Sequence, residues 1–113
     1  MIEKIVLDYL TAQENFPPVY MEIPPNLPST PFVVLEKTGS SAENHIFRAT
    51  IAIQSYAPTM YGAATLNETV KELMESLPTL AEVSACDLNS DYNYTDTATK
   101  QYRYQAVFDI IHY

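Results

Sequence analysis

Apolar residues recur along the chain with two spacings, and the change from one to the other predicts the order of helices and strands. The helical spacing i, i+3, i+4, i+7 first appears near the start of the chain, in Ile2, Ile5, Val6, Tyr9 and Leu10. It returns in a second stripe, made up of Ala63, Leu66, Val70, Leu73, Met74 and Leu77. Prolines at 17, 18 and 78 end the two predicted helices. The solvent-exposed face of the second helix, here called its wet face, is predicted to comprise Asn67, Glu68, Lys71, Glu72 and Glu75.

Alternation with a period of two, typical of strands, fills most of the remaining sequence. We predict strands in "VYMEI", "FVVLEKT" and "HIFRATIAIQSY", and two more at roughly 82–94 and 100–111. The segment "GSSAEN" is predicted to turn the first hairpin, with Gly39 at a positive φ, and "PPNLPSTP" to form an extended connection. The order α-β-β-β-α-β-β predicts an α+β fold. A single domain, residues 1–113, would hold one mainly antiparallel sheet with both helices packed on one face.

The last 24 residues hold five of the nine tyrosines of the chain, and four of them flank the predicted final turn. Regular alternation would place Cys86 opposite Ile110, with two tyrosine pairs at the hairpin end, Tyr92 with Tyr104 and Tyr94 with Tyr102. Such rings are either the outer edge of the core or a surface that contacts a partner. A third interpretation is that the rings stack on nucleic-acid bases, but such a surface normally lies in a positively charged groove.

The charge balance disfavours a nucleic-acid ligand. Fourteen acidic residues against six basic ones give a net charge of −8, and no basic residue has a basic neighbour. Binding to a phosphate backbone needs clustered Lys and Arg. The single cysteine, Cys86, fits a reducing compartment, and the start of the chain has neither the pattern of a signal peptide nor that of a membrane span. We therefore expect synthesis in the cytoplasm and no membrane partner.

The sequence carries no catalytic, cofactor or metal signature. Asp87, Asn89 and Asp91 imitate the opening of a calcium loop, but the required glycine and bidentate glutamate are missing, and alternation explains these residues as the solvent face of a strand. Cys86 lies on the apolar side of that strand, where an inert thiol is expected. His45 and His112 have no nucleophile or spaced carboxylates beside them in the pattern. We expect no enzyme activity, no cofactor and no bound metal.

Three blocks of the chain resemble a phage protein family. They are "FVVLEKTGSS", "NHIFRATIAIQSYAPTMYGAATLNETVKELMESL" and "LNSDYNYTDTATKQYRYQAVFDIIHY". Together they are similar to small tail-component proteins of siphophages and prophages of Gram-positive bacteria, a group similar to the tail terminators of lambda-like phages. The resemblance spans most of the chain.

The resemblance implies a structural role without chemistry. Tail terminators are α+β subunits that form a ring, a hexamer, on the finished tail tube, stop its polymerisation and offer a surface to the head connector. The partners implied are copies of this chain, the tail tube protein and the head connector protein, first in the host cytoplasm and then in the virion tail. DNA would pass through the ring without specific binding, and an acidic lumen would repel its phosphates.

Residues on exposed edges and loops are the candidates for these contacts. We predict interfaces at the hairpin tyrosines and at the ends of the first turn, namely Tyr92, Tyr94, Tyr102, Tyr104, Gly39 and Asn44. Two other functions stay open at this point. One is a different head–tail joining or minor capsid component, and the other is a small-molecule-binding module, because a sheet covered by helices can hold a pocket.

Overall fold

Two helices and five strands form an α+β fold, as the sequence predicts. The computed structural model describes residues 1–23, 25–26 and 28–113. The elements are α1 (Ile2–Thr11), β1 (Val19–Tyr20), β2 (Phe32–Glu43), β3 (Ile46–Tyr56), α2 (Met60–Glu75), β4 (Val83–Asn93) and β5 (Arg103–His112), with a short 3₁₀ turn at Leu77–Thr79. The strand order is β1-β2-β3-β5-β4. Among the strands of the described residues only the β1–β2 pair is parallel, so the sheet is mixed but mainly antiparallel.

Both helices pack on the same face of the sheet, because their apolar stripes meet one set of alternating strand residues. The stripe of α1 contributes Ile2, Val6 and Leu10 to the core, and α2 contributes Val70 and Met74. The sheet contributes Val33, Leu35, Ala49, Ile51, Ile53, Ala106, Phe108 and Ile110. We call this side of the sheet the helix face and the other side the open face.

Polar contacts cap the start of helix α2 and hold the helix in place, and the sequence pattern predicts only some of them. Thr59 caps it by accepting a hydrogen bond from the Gly62 amide at 3.0 Å. The Tyr9 hydroxyl of α1 donates to the Leu73 carbonyl at 2.6 Å and so ties the two helices together. Asn67, expected on the wet face, is 1% exposed and lies on the buried side of α2. That prediction was wrong, because a partner from the sheet accepts a hydrogen bond from its amide.

The first hairpin has a tighter turn than predicted. Strands β2 and β3 pair continuously as far as Glu43 and Ile46, which leaves only Asn44 and His45 in the turn. Both turn residues have positive φ, 52° and 67°, the geometry of a type I′ turn. Gly39 has no positive φ; it follows a bulge at Thr38, where the register shifts. The prediction of a positive φ at Gly39 is therefore wrong, and Gly39 is a residue of strand β2.

The proline-rich connection is described only in part. The predicted strand over 19–23 is reduced to the two residues of β1, which pair with Val33 and Val34. The extended connection predicted over 24–31 includes Pro24 and Leu27, which lie outside the described residues. Pro28 and Thr30 share a cavity with Phe32 and Tyr56, so the end of the connection lies against the open face.

Candidate interaction surfaces

A bulge in β4 rearranges the predicted tyrosine pairs. Cys86 lies opposite Ile110 and Leu88 opposite Phe108, as predicted, but the register shifts between Leu88 and Ser90. Beyond the bulge, Tyr92 lies opposite Gln105, and Asn93 opposite Tyr104. The predicted pairs of Tyr92 with Tyr104 and of Tyr94 with Tyr102 are therefore wrong. One inserted residue turns every later side chain of the strand to the other face.

The four tyrosines consequently lie in three places. Tyr92 and Tyr94 are each a little over 40% exposed and meet edge to face, with ring centroids 6.0 Å apart. Tyr104 lies opposite the buried Ser55, on the helix face. Tyr102 precedes β5, and its carbonyl accepts a hydrogen bond from the Ala57 amide at 3.2 Å. Only Tyr92 and Tyr94 are thus positioned as a joint contact surface.

Tyr92 and Tyr94 are part of a row of aromatic rings that crosses one end of the open face. Tyr20 on β1 packs edge to face on Phe32 at 6.0 Å, and Phe32 stacks on Tyr56 of β3 at 4.4 Å. The Arg103 guanidinium continues the row, 5.6 Å from the Tyr56 ring and 4.6 Å from the Tyr94 ring. Cation–π contacts of this kind hold an arginine between two rings. We call these residues, with Tyr92, the aromatic row.

Hydrogen bonds lock the exposed end of the aromatic row. Arg103 donates from Nε to the Tyr94 carbonyl at 2.7 Å and from Nη1 to the Tyr56 hydroxyl at 3.0 Å. The Tyr56 hydroxyl donates to Gln54 Oε1 at 2.9 Å, Gln54 donates to Gln105 Oε1 at 2.8 Å, and Gln105 donates to the Tyr92 hydroxyl. These fixed polar groups form a preorganised surface, which reduces the entropy lost on binding.

Acidic and polar side chains of β3, β4 and β5 meet near the middle of the open face. Asp87 of β4 lies directly opposite Asp109 of β5, as the regular part of the register predicts. Thr50 and Asn89 donate to the two oxygens of Asp109, at 3.1 and 3.0 Å. Asp91 departs from this pattern: the bulge turns it to the helix face, where it accepts bonds from Asn67 at 2.9 Å and from Lys71 at 3.0 Å. It is therefore not one of the free surface acids.

The outer half of β2, Glu36–Glu43, is the longest exposed strand segment. All eight of its residues are exposed, and in the described part of the chain β1 pairs with β2 only at Val33 and Val34. Of the predicted interface residues, Gly39 lies within this segment and Asn44 begins the turn after it. Ile46 and Phe47, across the hairpin, are each 42% exposed. We call residues 36–43 the free edge.

Cys86, His45 and His112 lie in three different environments. Burial raises the pKa of the Cys86 thiol to about 12, and the charges of Asp87 and Asp109 add to the shift, so this thiol is not a nucleophile near neutral pH. The ring of His112 stacks on Phe47 at 5.5 Å, and His45 occupies the hairpin turn. Among the described residues, no three His, Cys, Asp or Glu side chains are grouped to hold a metal ion.

One apolar groove lies on the helix side. It has a volume of about 590 Å³ and runs between the end of α1 and the start of α2. Its apolar lining includes Phe16, Pro17, Pro58, Tyr61 and Leu66, and Tyr61 is 83% exposed.

Comparison with known proteins adds no relative. No protein-family model matches the chain, and no curated protein sequence matches it either. None of the helices in the described part of the chain is long and apolar enough to cross a membrane.

Sequence reasoning missed the aromatic row and the buried Asn67. Tyr20, Phe32 and Tyr56 belong to three different strands, and only the pairing of those strands brings their rings together. A partial signal was present, since Phe32 and Tyr56 stand at opposite ends of the two predicted hairpin strands. The bulge at Asn89 had no signal of this kind, because nothing in "LNSDY" marks an extra residue.

Proposed function

We propose that this chain is a structural phage protein that forms a ring on the end of the tail tube, stops tail polymerisation and joins the tail to the head connector. The proposal rests on the sequence resemblance and on one observation, the free edge of β2. A strand edge with unpaired N–H and C=O groups is a template for pairing with another chain. Monomeric proteins normally block such edges with charges, prolines or bulges. The free edge carries charges at Glu36, Lys37 and Glu43 and a bulge at Thr38, but its central run Gly39–Ala42 carries no charge and no proline.

The backbone geometry identifies which groups of the free edge are available. In a two-residue hairpin the residues flanking the turn, Glu43 and Ile46, exchange hydrogen bonds, and the bonded pairs then alternate along the strands. The amides of Ala42 and Ser40 therefore point away from β3, toward the open side. A neighbouring subunit that added a strand here would bond to these two amides.

The other surfaces agree with a subunit of an assembly. The exposed rings of the aromatic row are held rigidly, and tyrosine and arginine are enriched in protein interfaces. The facing pair Asp87 and Asp109, with a net charge of −8 for the chain, supplies an acidic surface suited to a lumen that DNA passes without sticking. In this proposal the protein is not an enzyme and uses no cofactor.

Proline substitutions on the free edge test the proposal. Ser40→Pro and Ala42→Pro each remove an outward-pointing amide and leave the β2–β3 hydrogen bonds intact. The assembly constant of the ring, measured by light scattering, should therefore fall by about tenfold or more. The matched controls Ser40→Ala and Ala42→Ser keep the amides and should assemble like the wild type. Rings that form equally well with both prolines would contradict a role for this edge.

The small-molecule-binding alternative has one observation in its favour, the apolar groove between α1 and α2. Its volume of about 590 Å³ falls within the range of ligand pockets, about 300–1,000 Å³. A ligand-dependent rise in melting temperature that Leu66→Asp abolishes would support this function. Another head–tail joining component of the same virion would share the ring, and copurification of a connector protein instead of the tube protein would indicate it.

A further inference from the structure

The layer of helices covers the edge strand β4 only in part, because α2 and the short 3₁₀ turn contact it from one side. Helix α1 lies over β1 and β2, and α2 lies mainly over β3 and β5. In the described part of the chain no helix lies beyond α2 over the outer side of β4. Leu88, on the helix face opposite the buried Phe108, is consequently 46% exposed. Elsewhere on this face the residues at the middle of the strands are buried.

A groove of about 420 Å³ runs along the exposed part of this strand. Its floor is apolar, formed by Cys86, Leu88 and Phe108, and its wall is α2 between Glu68 and Glu75. Packed helices lie about 8–10 Å apart, and neighbouring strands about 4.8 Å apart. A helix placed beside α2 would therefore lie over β4, where a two-layer domain would carry one. We call this feature the β4 groove.

Charge decides what kind of helix fits the β4 groove. The cation of Lys71 is already shared, 2.8 Å from Glu68 and 3.0 Å from Asp91. Glu72 and Glu75 line the groove without an ion pair to any described residue. The field of Asp87 reaches the floor, where it helps burial to raise the pKa of the Cys86 thiol. The occupant must combine an apolar stripe with basic residues.

A second copy of this chain does not have that combination. Its helix α1 carries only Lys4 as a base, and α2 carries only Lys71. The six basic residues of the chain are isolated from one another in sequence. We propose that the β4 groove is the docking site for a basic amphipathic helix of a different protein, with its apolar residues on Leu88 and its Lys or Arg side chains toward Glu72 and Glu75. This proposal does not depend on the ring.

A peptide titration on the full-length protein tests this site. The probe is a fluorescent Leu/Lys amphipathic helix of about 18 residues, roughly five turns; a scrambled peptide of the same composition and a Leu/Glu helix serve as comparisons. We expect saturable anisotropy with the Leu/Lys helix. The scrambled peptide should bind about tenfold more weakly or worse, because it cannot present one apolar stripe to Leu88, and the Leu/Glu helix should not bind.

Substitutions distinguish docking of the helix in the β4 groove from general electrostatic attraction of a basic peptide to an acidic protein. The double variant Glu72→Lys/Glu75→Lys should weaken the Leu/Lys helix by at least about tenfold, and Leu88→Asn should also weaken it. The control Glu14→Lys/Glu22→Lys changes two exposed acids elsewhere by the same charge and should keep the affinity within about twofold. Equal losses in both double variants, equal binding of the scrambled peptide, or no saturable binding would each overturn the proposal.

Discussion

At the scale of single residues, the polar groups under α2 decide how the helix sits on the sheet. Asn67 is 1% exposed and donates to Asp91 at 2.9 Å, and Lys71 reaches the same carboxylate from one turn later. Residue type predicted the opposite, since asparagine at this position extends a run of polar residues on the wet face. The partner was not predictable, because Asp91 turns toward α2 only through the bulge at Asn89.

Asn67→Ala should lower the free energy of unfolding by about 1–3 kcal/mol. The substitution removes a buried donor and leaves Asp91 with only Lys71 as a partner. Asn89→Ala is the matched control, because its bond to Asp109 is exposed and should contribute less than about 1 kcal/mol. Urea unfolding of both variants gives the comparison, and equal losses would indicate that Asn67 is not a buried support.

At the scale of elements, the patterns that extend over many residues were predicted well and the local irregularities were not. The apolar stripes predicted α1 and α2, and the alternation of "HIFRATIAIQSY" predicted β3, because each signal is repeated several times. The turn was misplaced because Gly39, as a glycine, was the obvious candidate for a positive φ, whereas Asn44 and His45 adopt it. The bulges at Thr38 and Asn89 each insert a single residue, so they produce no repeated sequence pattern from which they could be predicted.

Two substitutions in the first hairpin test the observed turn. His45→Gly should raise the free energy of unfolding by about 0.5–1 kcal/mol, because His45 has φ of 67° and Asn-Gly is the preferred type I′ pair. Gly39→Ala should be neutral or stabilising by up to about 1 kcal/mol, since its φ is not positive and an added Cβ meets no atom within 4 Å. Thermal melts of both variants check this, and a clear loss of stability in Gly39→Ala would instead favour a turn at that glycine.

At the scale of the whole molecule, the two edges of the sheet differ in a way that bears on assembly. The β4 edge carries Asp87 and two register shifts, devices that discourage pairing with another strand. The β2 edge carries charges at Glu36, Lys37 and Glu43 and one bulge, at Thr38, but its run Gly39–Ala42 is uncharged. The β2 edge is therefore open to pairing only over this short run, and two unlike edges suit a subunit that contacts its neighbours in a defined direction, as the proposed ring requires. Sequence alone predicted the sheet but not which edge would be free, because strand order depends on long-range pairing.

Ring formation is the measurement that tests the central claim most directly. Purified protein is measured by light scattering over a wide concentration range, alone and with tubes of its tail tube protein, and the largest species are imaged by negative stain. The account predicts open-centred rings of uniform mass, either free or at one end of each tube, with tubes that no longer elongate. A protein that stays monomeric at every concentration and neither binds tube ends nor stops their growth would contradict it.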